Sequence, residues 1–263
     1  MIDVNLMFLP LFGLLIGLLV SMFGGGGGGL YVPVLILIFG ITPQVAIATS
    51  LASVLPTSVV SSISHFREGN IDIRTGLILG IGGIVGTLIG AVIANLIPPV
   101  LLQKILGIFT LIMLIPMLRS LIQRQQKMKE LNGENQEKTT LNGPKRVIAS
   151  LFGVASGLLA GVFGISGTPP IIAGLYSLGL PALMVVGTSV FVLIFNSLAG
   201  IGGFYLLGRL NLTLIILLGG GAAVGAFMGP LLLKKINPYT FEKIYGPVIM
   251  GTMIIFALGL IFT

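Results

Sequence analysis

Apolar residues run through this chain in blocks of about twenty, the length a helix needs to cross the hydrocarbon of a bilayer. In the first half such blocks cover residues 4–23, 44–66, 73–97 and 100–118; in the second they cover 147–163, 182–207, 212–233 and 239–262. Two apolar blocks, 30–39 and 171–178, are too short to cross alone. Each follows a glycine-rich interruption, Gly24 to Gly29 in one case and Gly164-Ile165-Ser166-Gly167-Thr168-Pro169-Pro170 in the other. Each is followed by a turn signal, Gly40-Ile41-Thr42-Pro43 or Gly179-Leu180-Pro181. Between the halves, residues 119–146 change character: Lys, Arg, Glu, Asn and Gln replace the apolar residues, as in a solvated linker. The chain thus divides into a membrane repeat at 1–118, a linker at 119–146 and a second membrane repeat at 147–263.

The halves match residue by residue. Adding 139 maps Gly40 to Gly179, Thr49 to Thr188, Ser50 to Ser189, Gly69 to Gly208, Gly80 to Gly219 and Gly82 to Gly221. It also maps Gly86 to Gly225, Gly90 to Gly229, Lys104 to Lys243 and Gly107 to Gly246. Phe23-Gly24 matches Phe163-Gly164 at offset 140, so one single-residue gap lies between. Internal repeats with interrupted segments in matching places mark transporters, and the interruptions point to the site.

Composition agrees with lipid as the solvent. Of 263 residues 55% are hydrophobic and 8% charged, where a soluble domain carries about a quarter charged. There are no cysteines and one histidine, which excludes thiol chemistry, disulfides and a multi-histidine metal cage within one chain. The net charge of +7 carries no interleaved aromatics and is read as loops obeying the positive-inside bias, not as a nucleic-acid surface. No Lys or Arg precedes Arg67, so the first apolar block lacks the positive start of a secretory signal.

With the linker in the cytoplasm, 12 of the 14 basic residues fall inside, Lys104 and Arg209 being outside. The matched connectors at Arg67–Arg74 and Gly208–Asn211 then face opposite sides. The expected fold is an all-α integral membrane protein of two inverted-topology repeats with broken or re-entrant helices. It has eight to ten membrane segments, and both termini lie outside the cytoplasm. The 30–39 block is either part of a thin span or half of a re-entrant hairpin.

Candidate chemistry sits at the breaks. Irregular backbone at membrane depth is tolerated only inside protein or against a cavity. A break frees the N–H groups of the next helix start, which attract an anion together with the helix dipole. Glycine lets that anion approach closely. The candidates are Gly25, Gly26, Gly27 and Gly28 in the first break, and Gly164, Ser166, Gly167 and Thr168 in the second. Thr49-Ser50, Thr188-Ser189 and Asn196 follow them; such hydroxyls can donate to a ligand or bond back to their own helix. His65 can couple proton movement or cap its helix, and Arg67 can attract an anion at a mouth. Glycines spaced by four, at Gly82, Gly86 and Gly90 and at Gly221, Gly225 and Gly229, read as close helix packing. They can pack within one chain or between two copies, which leaves a homodimer open. No carboxylate lies clearly mid-membrane. Neither a catalytic pair nor a cofactor or metal is called for.

Four features resemble the TauE/SafE family of sulfite and organosulfur anion exporters: the early break leading into Tyr31-Val32-Pro33, Ala48-Thr49-Ser50, the stretch His65-Phe66-Arg67-Glu68-Gly69-Asn70-Ile71-Asp72, and Gly187-Thr188-Ser189. The resemblance covers nearly the whole chain outside the linker. It implies export of a small inorganic or organosulfur anion, such as sulfite or sulfoacetate, across the cell membrane without ATP. Ser166, Thr168 and their neighbouring prolines depart from the glycine-only first break. The expected mechanism is alternating access, with the anion held by both breaks and both Thr-Ser pairs near mid-membrane. A passive anion channel, an intramembrane enzyme and a non-transport assembly protein are the other readings.

Overall fold

The structure, a computed structural model, describes residues 4–23, 28–127, 143–165, 167–233 and 238–263. After a 3-10 turn at Val4–Phe8, the described residues form ten helices and no strand. The first five are α1 (Leu9–Phe23), α2 (Gly28–Leu37), α3 (Pro43–Arg67), α4 (Ile73–Leu96) and α5 (Pro99–Lys127). The second five are α6 (Gly143–Phe163), α7 (Thr168–Ser177), α8 (Ala182–Leu206), α9 (Leu212–Leu233) and α10 (Pro238–Phe262). Pro43–Arg67, Ile73–Leu96, Ala182–Leu206 and Leu212–Gly229 are long and apolar enough to cross a membrane. Helix reaches into both ends of the polar linker, to Lys127 and from Gly143, so the only stretch between α5 and α6 outside the described residues is 128–142. The short α2 and α7 have 10 residues each, roughly 15 Å at the helical rise, half of a hydrocarbon core.

The matched helices from α2 and α7 onward start 139 or 140 residues apart, and their hydrogen bonds repeat at the same offsets. At the end of α3, Gly69 N–H donates to the Phe66 carbonyl and Asn70 N–H to that of His65; at the end of α8, Gly208 and Arg209 do the same to Tyr205 and Phe204. Both connectors turn through a left-handed glycine, Gly69 or Gly208. Asp72 and Asn211 then cap α4 and α9 by accepting from the Thr75 and Leu214 amides. The gap between the halves falls in the turn after the short helix. Gly40 bonds to Ile36 and Ile41 to Leu35, whereas Gly179 bonds to Tyr176 and Leu180 to Leu175. The first turn therefore holds one extra residue.

Small residues line the closest helix contacts. α4 lies along α6, and α9 along α1, so each half lends its first helix to the other. A methyl on Gly82 would sit 2.6 Å from the Ser150 carbonyl oxygen, and one on Gly90 2.6 Å from that of Leu158. Gly86 faces Val154 and Leu158; its match Gly225 faces Leu14 and Leu18, which are the residues 140 positions earlier. From the opposing side Gly153, Gly157 and Gly161 meet Leu79, Gly83 and Thr87, while Gly13 and Gly17 meet Leu218 and Ala222. The predicted glycine zippers are close helix packing, and both act within one chain. In lipid no hydrophobic force drives helices together, so backbone contact of this kind carries the association.

α3 and α8 form the centre. Gly187, early in α8, lies against His65 and Asn70 at the end of α3, whereas Gly200, later in α8, meets Leu51 early in α3. These two matched helices therefore run antiparallel. α7 folds back along α6: Gly167 lies against Ser156 and Gly174 against Phe152. The outer faces keep Ile81, Val85, Leu151, Ile216, Phe227 and Ile255 exposed, as a lipid-facing surface requires.

Candidate functional site

The second break gathers polar groups from both halves. Gly164 and Gly167 both hold left-handed backbone, φ +66° at each, so the chain reverses between α6 and α7. A methyl on Gly164 would meet Val32 of α2 and the backbone of Ile47 on α3. The carbonyl of Gly164 accepts a hydrogen bond from the Ser50 hydroxyl at 2.9 Å, a buried contact between halves. Gly167 is pressed onto the carbonyl and hydroxyl of Ser156. Ser156 in turn accepts from the Asn196 side-chain amide at 3.0 Å, and both are fully buried. Asn196 needs Gly83 beneath it, since any side chain there would collide with its Oδ1. Thr168 opens α7, followed by Pro169 and Pro170, which suit a first turn whose N–H groups have no helical partner.

Ser50, Gly164, Gly167 and Asn196 are thus brought together around Ser156, with Thr168 at the start of the next helix. Gly25, Gly26, Gly27 and Ser166 lie outside the described residues. Gly28 begins α2. The two Thr-Ser pairs do not meet. Because α3 and α8 are antiparallel, Thr49 lies across from the far part of α8, about 15 residues from Thr188, or roughly 22 Å at the helical rise. Instead of sharing a cradle, each pair faces the other half's connector or break. The Thr188 hydroxyl accepts from the Asp72 N–H at 3.0 Å, which fastens the α3–α4 connector onto α8. Gly187 lets that connector approach. Ser189 bonds back to the Val186 carbonyl. Thr49 is fully buried and its hydroxyl has no partner.

His65 and Arg67 end α3 at the latched connector. His65 is half-buried, with Nδ1 shielded and unpartnered, and Arg67 is exposed. At the opposite connector Arg209 Nε donates to Asn95 Oδ1 at 2.7 Å, which ties that loop to α4. Further along α3, Ser53, Thr57 and Ser58 bond to the Thr49, Val54 and Leu55 carbonyls, while the buried Ser62 hydroxyl has no partner.

Sequence reasoning missed Ser156 and the latching role of Asp72. Ser156 aligns with Ile16 in the first half, so a search for repeated polar residues passes over it. The counter-glycines Gly13, Gly17, Gly153, Gly157 and Gly161 were readable from their spacing by four.

Ser50→Ala tests the link between the halves. It leaves the buried Gly164 carbonyl without its donor, and the expected loss is about 1–3 kcal/mol of stability. Thermal unfolding in detergent measures it; a variant as stable as the parent would mean that the carbonyl finds water.

Residues 9–256 match the family model for sulfite exporter TauE/SafE. The chain is 32% identical over 246 residues to the probable membrane transporter protein YdhB of Bacillus subtilis (strain 168), covering 92% of this chain and 97% of that one. It is 30% identical over 276 residues to the probable membrane transporter protein MJ0441 of Methanocaldococcus jannaschii, covering 96% of each. No solved structure matches the chain.

Proposed function

Because the chain belongs to the sulfite exporter TauE/SafE family of membrane transporters, we propose that it exports a small sulfur-containing anion by alternating access, without enzymatic chemistry. The observation that carries this reading is the second break, whose backbone is held by Ser50 from the other half and, through Ser156, lies beside Asn196. Backbone freed from a helix at that depth is costly unless something uses it. The start of α7 turns a positive dipole end toward an anion, while Pro169 and Pro170 bring no N–H to that first turn. In this reading the first break does the same for the first half.

The repeats are inverted across the cell membrane, with the linker inside and both termini outside. The support is the antiparallel packing of α3 on α8 and the exchange of α1 and α6 between halves. The two connectors are then the inner and outer gates. The inner one is latched by Asp72 N–H on Thr188, flanked by His65 and Arg67. The matching outer bond, Asn211 N–H on Thr49, would satisfy the one Thr of the two pairs that has no partner. Alternation exchanges the latches: Thr188 releases Asp72 as Thr49 takes Asn211. An inside-negative potential drives an anion outward by roughly 2.3 kcal/mol per charge per 100 mV, so no coupling ion is required.

The natural absence of cysteine makes the test direct. In liposomes, the parent protein should give saturable sulfite flux with counterflow, which a channel does not show. Asp72→Cys with Thr188→Cys, and separately Thr49→Cys with Asn211→Cys, should each form a disulfide during turnover, and each disulfide should arrest flux. Flux that persists when either pair is cross-linked would sink the alternating latch.

A further inference from the structure

The two halves put matched helices in matched places, but not matched side chains. His65 near the end of α3 lies against Gly187 of α8, and Leu51 lies against Gly200. Between these contacts the residues of α3 draw level with their own matches in α8, close to Pro56 and Phe195. In the inverted arrangement proposed above, that level is the middle of the membrane. From there to His65 is about nine residues, roughly 14 Å at the helical rise, or half of a hydrocarbon core.

Over that half, α3 carries Ser58, Ser62 and His65, spaced by four and three and so on one face. Ser58 and Ser62 are buried, and His65 is half-buried. The Ser58 hydroxyl is satisfied by the Leu55 carbonyl. The Ser62 hydroxyl and His65 Nδ1 are shielded and have no partner. The matching face of α8, leading from the middle to the opposite connector, carries Ser197, Ile201 and Phe204. Ser197 repeats Ser58, but beyond it Ile201 is half-buried and Phe204 fully buried, and both are apolar. The backbone does not ask for this difference, since the His65 and Phe204 carbonyls accept equivalent hydrogen bonds from the Asn70 and Arg209 amides. One half-path thus holds two unmet polar groups where its mate holds hydrocarbon. A buried polar group without a partner is destabilising, so neither group helps the fold while the connector is latched.

The latch is the bond from Asp72 N–H to Thr188, which draws the α3–α4 connector against α8, with Asn70 and His65 both against Gly187. Resting on the transport reading above, we propose that Ser62 and His65 form a one-sided entry site for the cargo oxyanion, completed only when the inner latch opens. Release of Asp72 uncovers their face to the inner side. The Ser62 hydroxyl and an imidazole N–H then donate to the oxygens of the anion. Arg67, exposed at the same helix end, supplies positive charge. Glu68 and the C-terminal dipole end of α3 oppose an anion there. That opposition keeps the site weak enough to pass its cargo on toward the middle. Cargo leaves past Ile201 and Phe204, where no such site exists.

Two disulfide-locked forms of the full chain separate the sides. Thr49→Cys with Asn211→Cys holds the inner side open, and Asp72→Cys with Thr188→Cys holds it closed. The probe is sulfoacetate, which unlike sulfite does not cleave disulfides, and the readout is thermal stabilisation of each purified form. In the inner-open form, Ser62→Ala and His65→Phe should each raise the sulfoacetate needed for a given shift roughly tenfold, as loss of one hydrogen bond to a charged group implies. In the inner-closed form that concentration should move by less than about twofold, because the pair is shielded there. Ser62→Ala should also leave the ligand-free unfolding temperature of the closed form unchanged or higher, since it removes an unmet donor; it decides the matter alone if His65→Phe does not fold. Parent affinity in the inner-open form of both variants, or equal losses in the two locked forms, would overturn the entry site and leave the transport reading standing. Stabilisation of neither locked parent form would overturn the anion site beneath it as well. A Thr49–Asn211 disulfide that never forms would overturn the alternating latch and this proposal together.

Discussion

Gly157→Leu should yield no folded protein, and Gly225→Leu should fail in the same way at the matching interface. Gly157 faces the Gly83 carbonyl, and a methyl there would also stand 2.7 Å from the Thr87 amide nitrogen. Both neighbours are backbone, so no rotamer change makes room; the helices must separate. Overpacking costs typically 1–3 kcal/mol where side chains can yield, and more is expected here. The comparison that gives this force is Gly220→Ala. Gly220 is helical and exposed, and a methyl there has nothing within 4 Å. Removing a glycine from an open helix position should leave the protein as stable or slightly more so. Size-exclusion profiles and unfolding temperatures separate the two outcomes. Wild-type behaviour of Gly157→Leu would mean that α4 and α6 do not touch backbone to backbone.

Gly167→Ala should be the most damaging small change at the break. Left-handed backbone costs an L-residue about 1–2 kcal/mol by itself. Gly208 bears only that cost, because its φ is +66° and no atom lies within 4 Å of an added methyl. Gly167 has the same φ, and its methyl would be driven into the carbonyl and hydroxyl of Ser156. Displacing Ser156 also disturbs its bond from Asn196. Gly167→Ala should therefore lose transport outright and lose roughly 1–3 kcal/mol more stability than Gly208→Ala. Gly164→Ala, against Val32 and Ile47, should fall between them. Equal behaviour of the 167 and 208 variants, in flux and in unfolding temperature, would show that the break is a turn and nothing more.

These variants also mark where sequence reasoning reached and where it stopped. The pairing of Gly82 with Gly221, and of Gly86 with Gly225, was legible because both the repeat offset and the spacing by four are carried along one chain segment. The partner was not legible. A helix face of small residues fits any other such face, and only the folded chain sets α4 on α6 of the other half. The Thr-Ser pairs show the same division. Their recurrence after each break identified Thr49, Ser50, Thr188 and Ser189, and recurrence alone suggested one shared cradle. The antiparallel packing of α3 and α8 places them at opposite ends, and hydroxyls that look alike have different work: Ser50 holds Gly164, Thr188 holds Asp72, and Ser189 holds its own helix.

What the sequence determined by itself is what sums along a segment or repeats at a fixed offset. Apolar runs near twenty residues require lipid as solvent, glycine and proline interrupt them at two matching places, and residues 139 apart hold matching places in the two halves. Only the tertiary structure decided which groups meet across long separations. Ser50 and Gly164 are 114 residues apart, and Asp72 and Thr188 are 116 apart. The physical reason is that a hydroxyl or an amide has no preference among distant partners until packing brings one within hydrogen-bond reach. In lipid, that packing is set by how closely two backbones can approach.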